Sequence, residues 1–290
     1  MGHLQDRQTQ LSLRRLCKLT AVRRSTVYEV RKGTDRFQSG RHTDETILAM
    51  MKKVRATHQT WGFRLIFNYL KHVKSEQIGK ARAYKLYQVA KMSLHKTPKK
   101  LRIKRDYQEL LPPKHINEGW AMDFLSEWVI GEKQQAVRII NIADECSRKD
   151  LWIEAAFSIT AKQLTDILDK LKELRGRPRY IRCDNGPEFI SQTLQLWAVN
   201  NNVELRFIQP GKPTQNGIIE RLNGTARREC LNLNWFNSLE EVNELLENWY
   251  KTYNFDRPNS RLKYKTPAAF EKANQNRYFK MVPANGGQDR

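Results

Sequence analysis

The sequence predicts an α/β protein: a mixed five-stranded sheet with flanking helices, preceded by all-α units and followed by a helical extension. Three observations carry this expectation. From Trp120 onward, short strand-like apolar runs interleave with runs of helical period. Before residue 95 the helical period stands alone. The charge divides at the same place: residues 1–116 hold 27 Lys and Arg against 8 Asp and Glu, and residues 117–290 hold 25 against 23.

The excess behind the net charge of +21 is therefore almost entirely N-terminal. Such asymmetry marks a nucleic-acid-binding module joined to a nearly neutral one, with a solubilising basic region as the plainer alternative. At 39% hydrophobic and 29% charged residues, the chain is a globular protein rather than a disordered one. No run of 18 apolar residues exists, so no membrane partner is expected. The opening MGHLQDRQTQ lacks a signal-peptide core, so a cytoplasmic, nucleoid-associated protein is expected. Cys17, Cys146, Cys183 and Cys230 form no C-x-x-C pair, which argues against a zinc ribbon or a disulfide framework.

Residues 1–40 read as a helix-turn-helix: Leu11, Leu13, Leu16 and Leu19 make an apolar stripe, and Ser25 stands as an N-cap for the next helix. Residues 41–95 read as a second helical DNA-binding domain, with helices in DETILAMMKKVRATH, FRLIFNYLKHV and KARAYKLYQVAKM. The last carries Lys80, Arg82 and Lys85, a basic face suited to base edges or phosphates. Residues 96–116 are a basic linker ending at Pro112-Pro113.

Residues 117–232 form the expected core. WAMDFLSEWVI, AVRIINIAD and LWIEAAF are three strands with short connections, a meander. AKQLTDILDKLKEL is an amphipathic helix, YIRCD a fourth strand, ISQTLQLWAVNN a helix and VELRFI a fifth strand. A loop, GKPTQNG, leads into the helix IIERLNGTARRECL. The order βββαβαβα is that of the ribonuclease-H-like fold. Residues 233–290 are the helical extension.

Three acids stand out. Asp123 interrupts the apolar first strand, where a charge is costly unless something binds it. Asp184 ends the fourth strand before Asn185-Gly186-Pro187; alone it reads as turn chemistry. Glu220 opens the late helix; alone it reads as a charge complementing the dipole. On strands one and four and the helix beside them, the three carboxylates can converge. Hard oxygen ligands in that number suit Mg²⁺ or Mn²⁺, and two such ions stabilise the attacking and leaving oxygens of phosphoryl transfer.

Asp184 and Glu220 have 35 residues between them. With that interval, WAMDF, DNGPEF, PTQNGIIERLNGTARREC and YNFDRPNSRLKYKTPAAF resemble the catalytic frame of bacterial insertion-sequence transposases of family three, whose catalytic domain is similar to retroviral integrase. The resemblance spans roughly residues 10–275. It implies a transposase that exposes a DNA 3′ end and joins it by strand transfer, in copy-out, paste-in fashion. It implies that Asp123, Asp184 and Glu220 are catalytic and hold two Mg²⁺ or Mn²⁺ ions. Arg227 occupies the family's Lys/Arg position, two helical turns after Glu220, where it can touch a phosphate. Asn216 sits in the active-site loop, where Gln215-Asn216-Gly217 replaces the commoner Asp-Asn-Ala, and is expected at the DNA. Glu188 reads as the motif's structural acid, and Tyr253 and Pro258 as packing groups. The implied partners are double-stranded DNA at the element's terminal inverted repeats and at the target, and further copies of the chain on paired ends. Family members are often frameshift fusions whose upstream part carries a leucine zipper; this chain lacks a four-heptad Leu repeat. Two rivals remain open: a hydrolytic nuclease on the same fold, and a DNA-binding regulator with a silent triad.

Overall fold

The computed structural model describes residues 42–94, 113–131, 133–209 and 213–279. The helix-turn-helix expected over residues 1–40, and residues 96–112 of the expected linker, lie outside the described residues.

The first unit has three helices. In α1 (Asp44–Thr57) the Thr43 hydroxyl accepts the Thr46 N–H, and Asp44 and Glu45 complement the helix dipole. α2 (Phe63–Asn68) widens into a π-type turn over Tyr69–Val73, where the sequence pattern suggests one continuous α-helix. α3 (Lys80–Val89) completes the unit. Ile47, Met51, Trp61, Ile66, Leu70 and Tyr87 close its own core.

The second unit is built on β1 (Gly119–Val129), β2 (Gln135–Asp144), β3 (Asp150–Ala156), β4 (Tyr180–Cys183) and β5 (Glu204–Phe207). The sheet order is β3-β2-β1-β4-β5. β1, β2 and β3 pair antiparallel; β4 joins β1, and β5 joins β4, in parallel. α4 (Ala161–Arg175) and α5 (Gln192–Asn200) lie between the later strands, and α6 (Gly217–Glu229), α7 (Leu239–Lys251) and α8 (Pro267–Ala273) follow them. This is the ribonuclease-H-like arrangement, and each core element lies within two residues of its sequence-based bounds.

Strand alternation decides which side chains meet which helices. Trp120 and Met122 point to the layer formed with Leu164, Leu168 and Leu194 of α4 and α5. Ala121, Leu125 and Val129 point the other way, to Ile219, Leu222 and Ala226 of α6 and Val242 and Leu246 of α7. Asp123 falls on this second face, opposite Asn141 in the β1–β2 register. α4 is fixed by a capping box between Thr160 and Gln163, and its apolar stripe is buried against the first layer.

The β1–β4 junction admits no side chain at Gly119. A Cβ there would lie 2.2 Å from Cζ of its register partner Tyr180. Beside it the Arg182 guanidinium pairs with Glu145 at 2.7 Å, and the Tyr180 hydroxyl donates to the same carboxylate at 2.5 Å. The end of the expected linker belongs to this unit: Ile116 is buried, and its backbone pairs with Arg277 and Phe279. No helix among the described residues is long and apolar enough to cross a membrane.

Candidate active site

β1 and β4 run in parallel side by side with Ala121 level with Arg182, so Asp123 and Asp184 each lie two residues further along adjacent stretches of chain. Asp123 Oδ1 accepts the Phe124 N–H at 2.8 Å, and Oδ2 accepts Nδ2 of Asn223 at 2.9 Å. Asp184 follows the last residue of β4, and its Oδ1 accepts the Gly186 N–H at 2.9 Å, the turn expected of Asp-Asn-Gly. The same turn is tied down where Asn185 Nδ2 donates to the Ile208 carbonyl at 2.9 Å. Glu220 stands in the first turn of α6, exposed.

Asp123 feels the other two acids. Burial pushes the Asp123 carboxyl up to about 6; the negative charges of Asp184 and Glu220 push in the same direction, against the hydrogen bonds from Phe124 and Asn223. Partial burial also raises Glu220 above the usual carboxylate range. A site in which negative charge is held against its own repulsion is one that favours a cation. Three carboxylates are the hard-oxygen donor set for Mg²⁺ or Mn²⁺. Among the described residues no group of three or more His, Cys, Asp and Glu is spaced to close on a metal ion as it stands. Mg²⁺ is commonly held by one or two carboxylates together with water and substrate phosphates, so the donor set fits an ion whose shell the substrate completes.

Around these acids the polar groups have defined tasks. Asn223, one turn after Glu220 on α6, was not singled out by the sequence reading, although it lies inside the ERLNGT motif. Its Oδ1 accepts Nδ2 of buried Asn141 at 2.9 Å, so β2, α6 and β1 are joined by one amide relay. Arg227 lies on the same side of α6; its Nη2 donates to the Ser126 carbonyl at 3.1 Å, and Nη1 is 3.8 Å from Glu127. Asn216 is buried at 3% exposure, and its Nδ2 donates to the Met122 carbonyl at 3.3 Å, so it reaches β1 rather than solvent. Glu188 pairs with Arg138, which holds its carboxyl below the usual range.

Three further basic residues expected at DNA sit on α3, remote in sequence from the acids. Lys80, Arg82 and Lys85 are all exposed. Arg82 is not free: Nε lies 2.5 Å from Asp44 Oδ1, and Nη1 donates to the His42 carbonyl at 3.0 Å.

Two matches to the Integrase core domain cover residues 113–213 and 201–267. The chain is 30% identical over 263 residues to the 31.7 kDa protein of insertion element IS407 from Burkholderia multivorans, covering 91% of each. It is also 30% identical over 262 residues to the 39.2 kDa protein of insertion element IS476 from Xanthomonas euvesicatoria, covering 90% of this chain and 73% of that one. Among solved structures it is similar to the simian T-cell lymphotropic virus intasome in complex with the PP2A regulatory subunit B56 gamma, at 18% identity and a TM-score of 0.46 over 80% of this chain and 78% of that one. Matched over nine-tenths of its length by insertion-element proteins and over its sheet and late helices by the integrase core, the chain belongs to the bacterial insertion-element transposases of the integrase superfamily, a class of polynucleotidyl transferases.

Proposed function

We propose that the chain is the catalytic transposase of a family-three insertion sequence. It cleaves DNA at the 3′ ends of its element and joins those ends to a phosphodiester by strand transfer, in the copy-out, paste-in manner. The observation that carries this reading is the placement of Asp123 on β1 and Asp184 at the end of its parallel neighbour β4, with the helix that carries Glu220 tied to Asp123 through Asn223. Asp123, Asp184 and Glu220 would hold the divalent ions, two per site, which would supply Lewis-acid stabilisation of the charge that builds on the phosphate and its leaving oxygen.

The chain's own residues do the rest. Asn223 orients Asp123 through Oδ2, and the turn at Gly186 orients Asp184. Arg227 braces β1 at Ser126, three residues beyond Asp123, and takes a phosphate oxygen when the DNA arrives. In the first step water attacks the phosphorus and the element's 3′ oxygen leaves, taking a proton. In the second that 3′-hydroxyl loses its proton, attacks a new phosphodiester, and the displaced strand leaves with a 3′-hydroxyl. Neither step requires a protein nucleophile. Joining one end to another requires both to be held together, which supports a homo-oligomer on paired inverted repeats.

The experiment is a strand-transfer assay on duplexes bearing element ends. Asp123→Ala, Asp184→Ala and Glu220→Ala should each lower joining by about a thousandfold or more while duplex binding persists. Near-normal joining by any one of them removes that residue from the triad. Cleavage without joining in the unaltered chain would favour the nuclease instead.

A further inference from the structure

A cavity of about 290 Å³ lies between α2, α6 and the segment after α7, on the side of α6 away from Glu220. Its lining is rich in arginine. Arg64 comes from α2, Arg148 from the β2–β3 turn, Arg221 and Arg228 from α6, and Arg257 and Arg261 from the RPNSRLKY segment. Successive turns of α6 divide the work: Glu220, Asn223 and Arg227 face the acids, and Arg221, Thr225 and Arg228 face the cavity.

Most of these cations are not paired from within. Arg257 is paired with Glu229 at 3.0 Å, and Glu145, whose charge favours the Arg148 cation, is itself paired with Arg182 at 2.7 Å. Among the described residues Arg64, Arg148, Arg221 and Arg261 have no carboxylate within ion-pair distance. Burial lowers the affinity of the Arg148 guanidinium for its proton; Glu145 and Tyr253 oppose this, the charges of Arg221 and Arg261 add to it, and all three arginines line the one cavity. Like charges gathered around a cavity are unfavourable until an anion enters.

The wall is also built rather than incidental. Lys263 and Tyr264 are both left-handed, at φ 54° and 64°, a conformation that costs non-glycine residues free energy. Asn259 holds them there: its carbonyl accepts the Leu262 and Tyr264 N–H groups, its N–H donates to the Lys265 carbonyl, and its side chain accepts the Arg261 N–H at 3.0 Å. The result presents Arg261 and Tyr264 to the cavity. This gives the YNFDRPNSRLKY motif a task beyond packing.

We propose that the cavity is a second phosphate site, away from the acids, in which Arg148, Arg221 and Arg261 clamp one backbone phosphate of bound DNA. It rests on the reading of the chain as a DNA strand-transfer enzyme. Guanidinium groups bind phosphate by paired, charge-assisted hydrogen bonds. Arg64 belongs to the helical unit and Arg221 to the helix that carries Glu220, so a phosphate seated here ties the helical unit to the catalytic helix. DNA is favoured over a free anion because Arg64, Arg221, Arg228 and Arg261 are exposed at the mouth, where a continuous backbone can pass.

The test compares the full chain with Arg221→Gln/Arg261→Gln and with Lys162→Gln/Lys170→Gln, which removes the same charge from α4 on the other face of the sheet. Duplex binding is measured by fluorescence anisotropy across a salt series, alongside thermal shifts with inorganic phosphate. Arg221→Gln/Arg261→Gln should bind duplex about tenfold more weakly than the lysine control, with the slope of log affinity against log salt reduced by about 0.9, one phosphate contact. Equal affinity and slope in the two variants overturn the proposal while leaving the strand-transfer reading intact. If the unaltered chain binds no duplex, both fall. If phosphate alone stabilises the unaltered chain, the arginine variant loses that effect, and duplex binding does not change, the site belongs to a free anion and the DNA assignment is overturned.

Discussion

Asn223 Nδ2 donates to Asp123 Oδ2 at 2.9 Å, while its Oδ1 accepts from Asn141 at the same distance. One side chain thus fixes the pitch of α6 against β1, and with it the position of Glu220 one turn earlier. Asn223→Ala removes a bond that favours ionised Asp123 and leaves the buried Asn141 amide without its acceptor. The expected result is a 10–100-fold slower joining reaction, roughly the effect of losing a partner behind a metal ligand. A stability loss of about 1–3 kcal/mol should accompany it in urea unfolding. Joining that is unchanged per folded molecule would make Asn223 a packing residue only.

The position of Asp184 depends on β4, four residues long and anchored at its start. Gly119→Ala would drive a methyl into the Tyr180 ring, whose hydroxyl is held by Glu145. The cost should be about 1–3 kcal/mol of unfolding free energy. Arg182→Met should cost more, about 3–5 kcal/mol, because it leaves Glu145 charged at 2% exposure. Denaturant midpoints at constant slope measure both, and an Arg182→Met protein as stable as the unaltered chain would mean that Glu145 does not depend on its partner.

The core was legible in the sequence because its strands and helices differ in period, and Asp123 was legible because a lone acid breaks an apolar strand. Element order sets Asp123 and Asp184 on or beside neighbouring parallel strands and Glu220 on the helix tied to β1 through Asn223. Asn223 and Asn141 were not legible: an asparagine in a helix or strand looks like any polar residue until the register sets it opposite an acid. The same holds for the cavity arginines, which come from four separate stretches of chain and look like scattered basic charge. Arg82 is a basic residue of α3 in the sequence, and only the structure shows that Asp44, 38 residues away, pairs with its guanidinium.

That pairing separates the basic residues of α3. Lys80→Gln and Lys85→Gln should each weaken duplex binding and lower the salt slope by up to about 0.9. Arg82→Gln should leave the slope nearly unchanged and reduce stability by less than about 1 kcal/mol, since the ion pair is exposed. Anisotropy titrations at several salt concentrations decide the order. A steeper loss for Arg82 than for either lysine would mean that DNA displaces Asp44.

The raised Asp123 carboxyl has a consequence for folding. With its folded value near 6 and an ordinary value of 3.8, the folded chain keeps a proton that the unfolded chain has already lost between those values. Stability from this group is therefore complete below about pH 4 and is lost as pH rises through about 6. Asp123→Asn cannot titrate, so the unaltered chain should lose on the order of 2–3 kcal/mol relative to that variant between pH 4 and pH 7. The measurement is urea unfolding of both proteins at several pH values with a chelator present, where titrating groups remote from the three acids cancel in the difference. At pH 7 a divalent ion should then stabilise the unaltered chain by about 2.7 kcal/mol at a hundredfold excess over its dissociation constant, and the variant by much less. A difference that stays flat with pH would mean that Asp123 is already ionised at its ordinary value and that the acids do not press on one another.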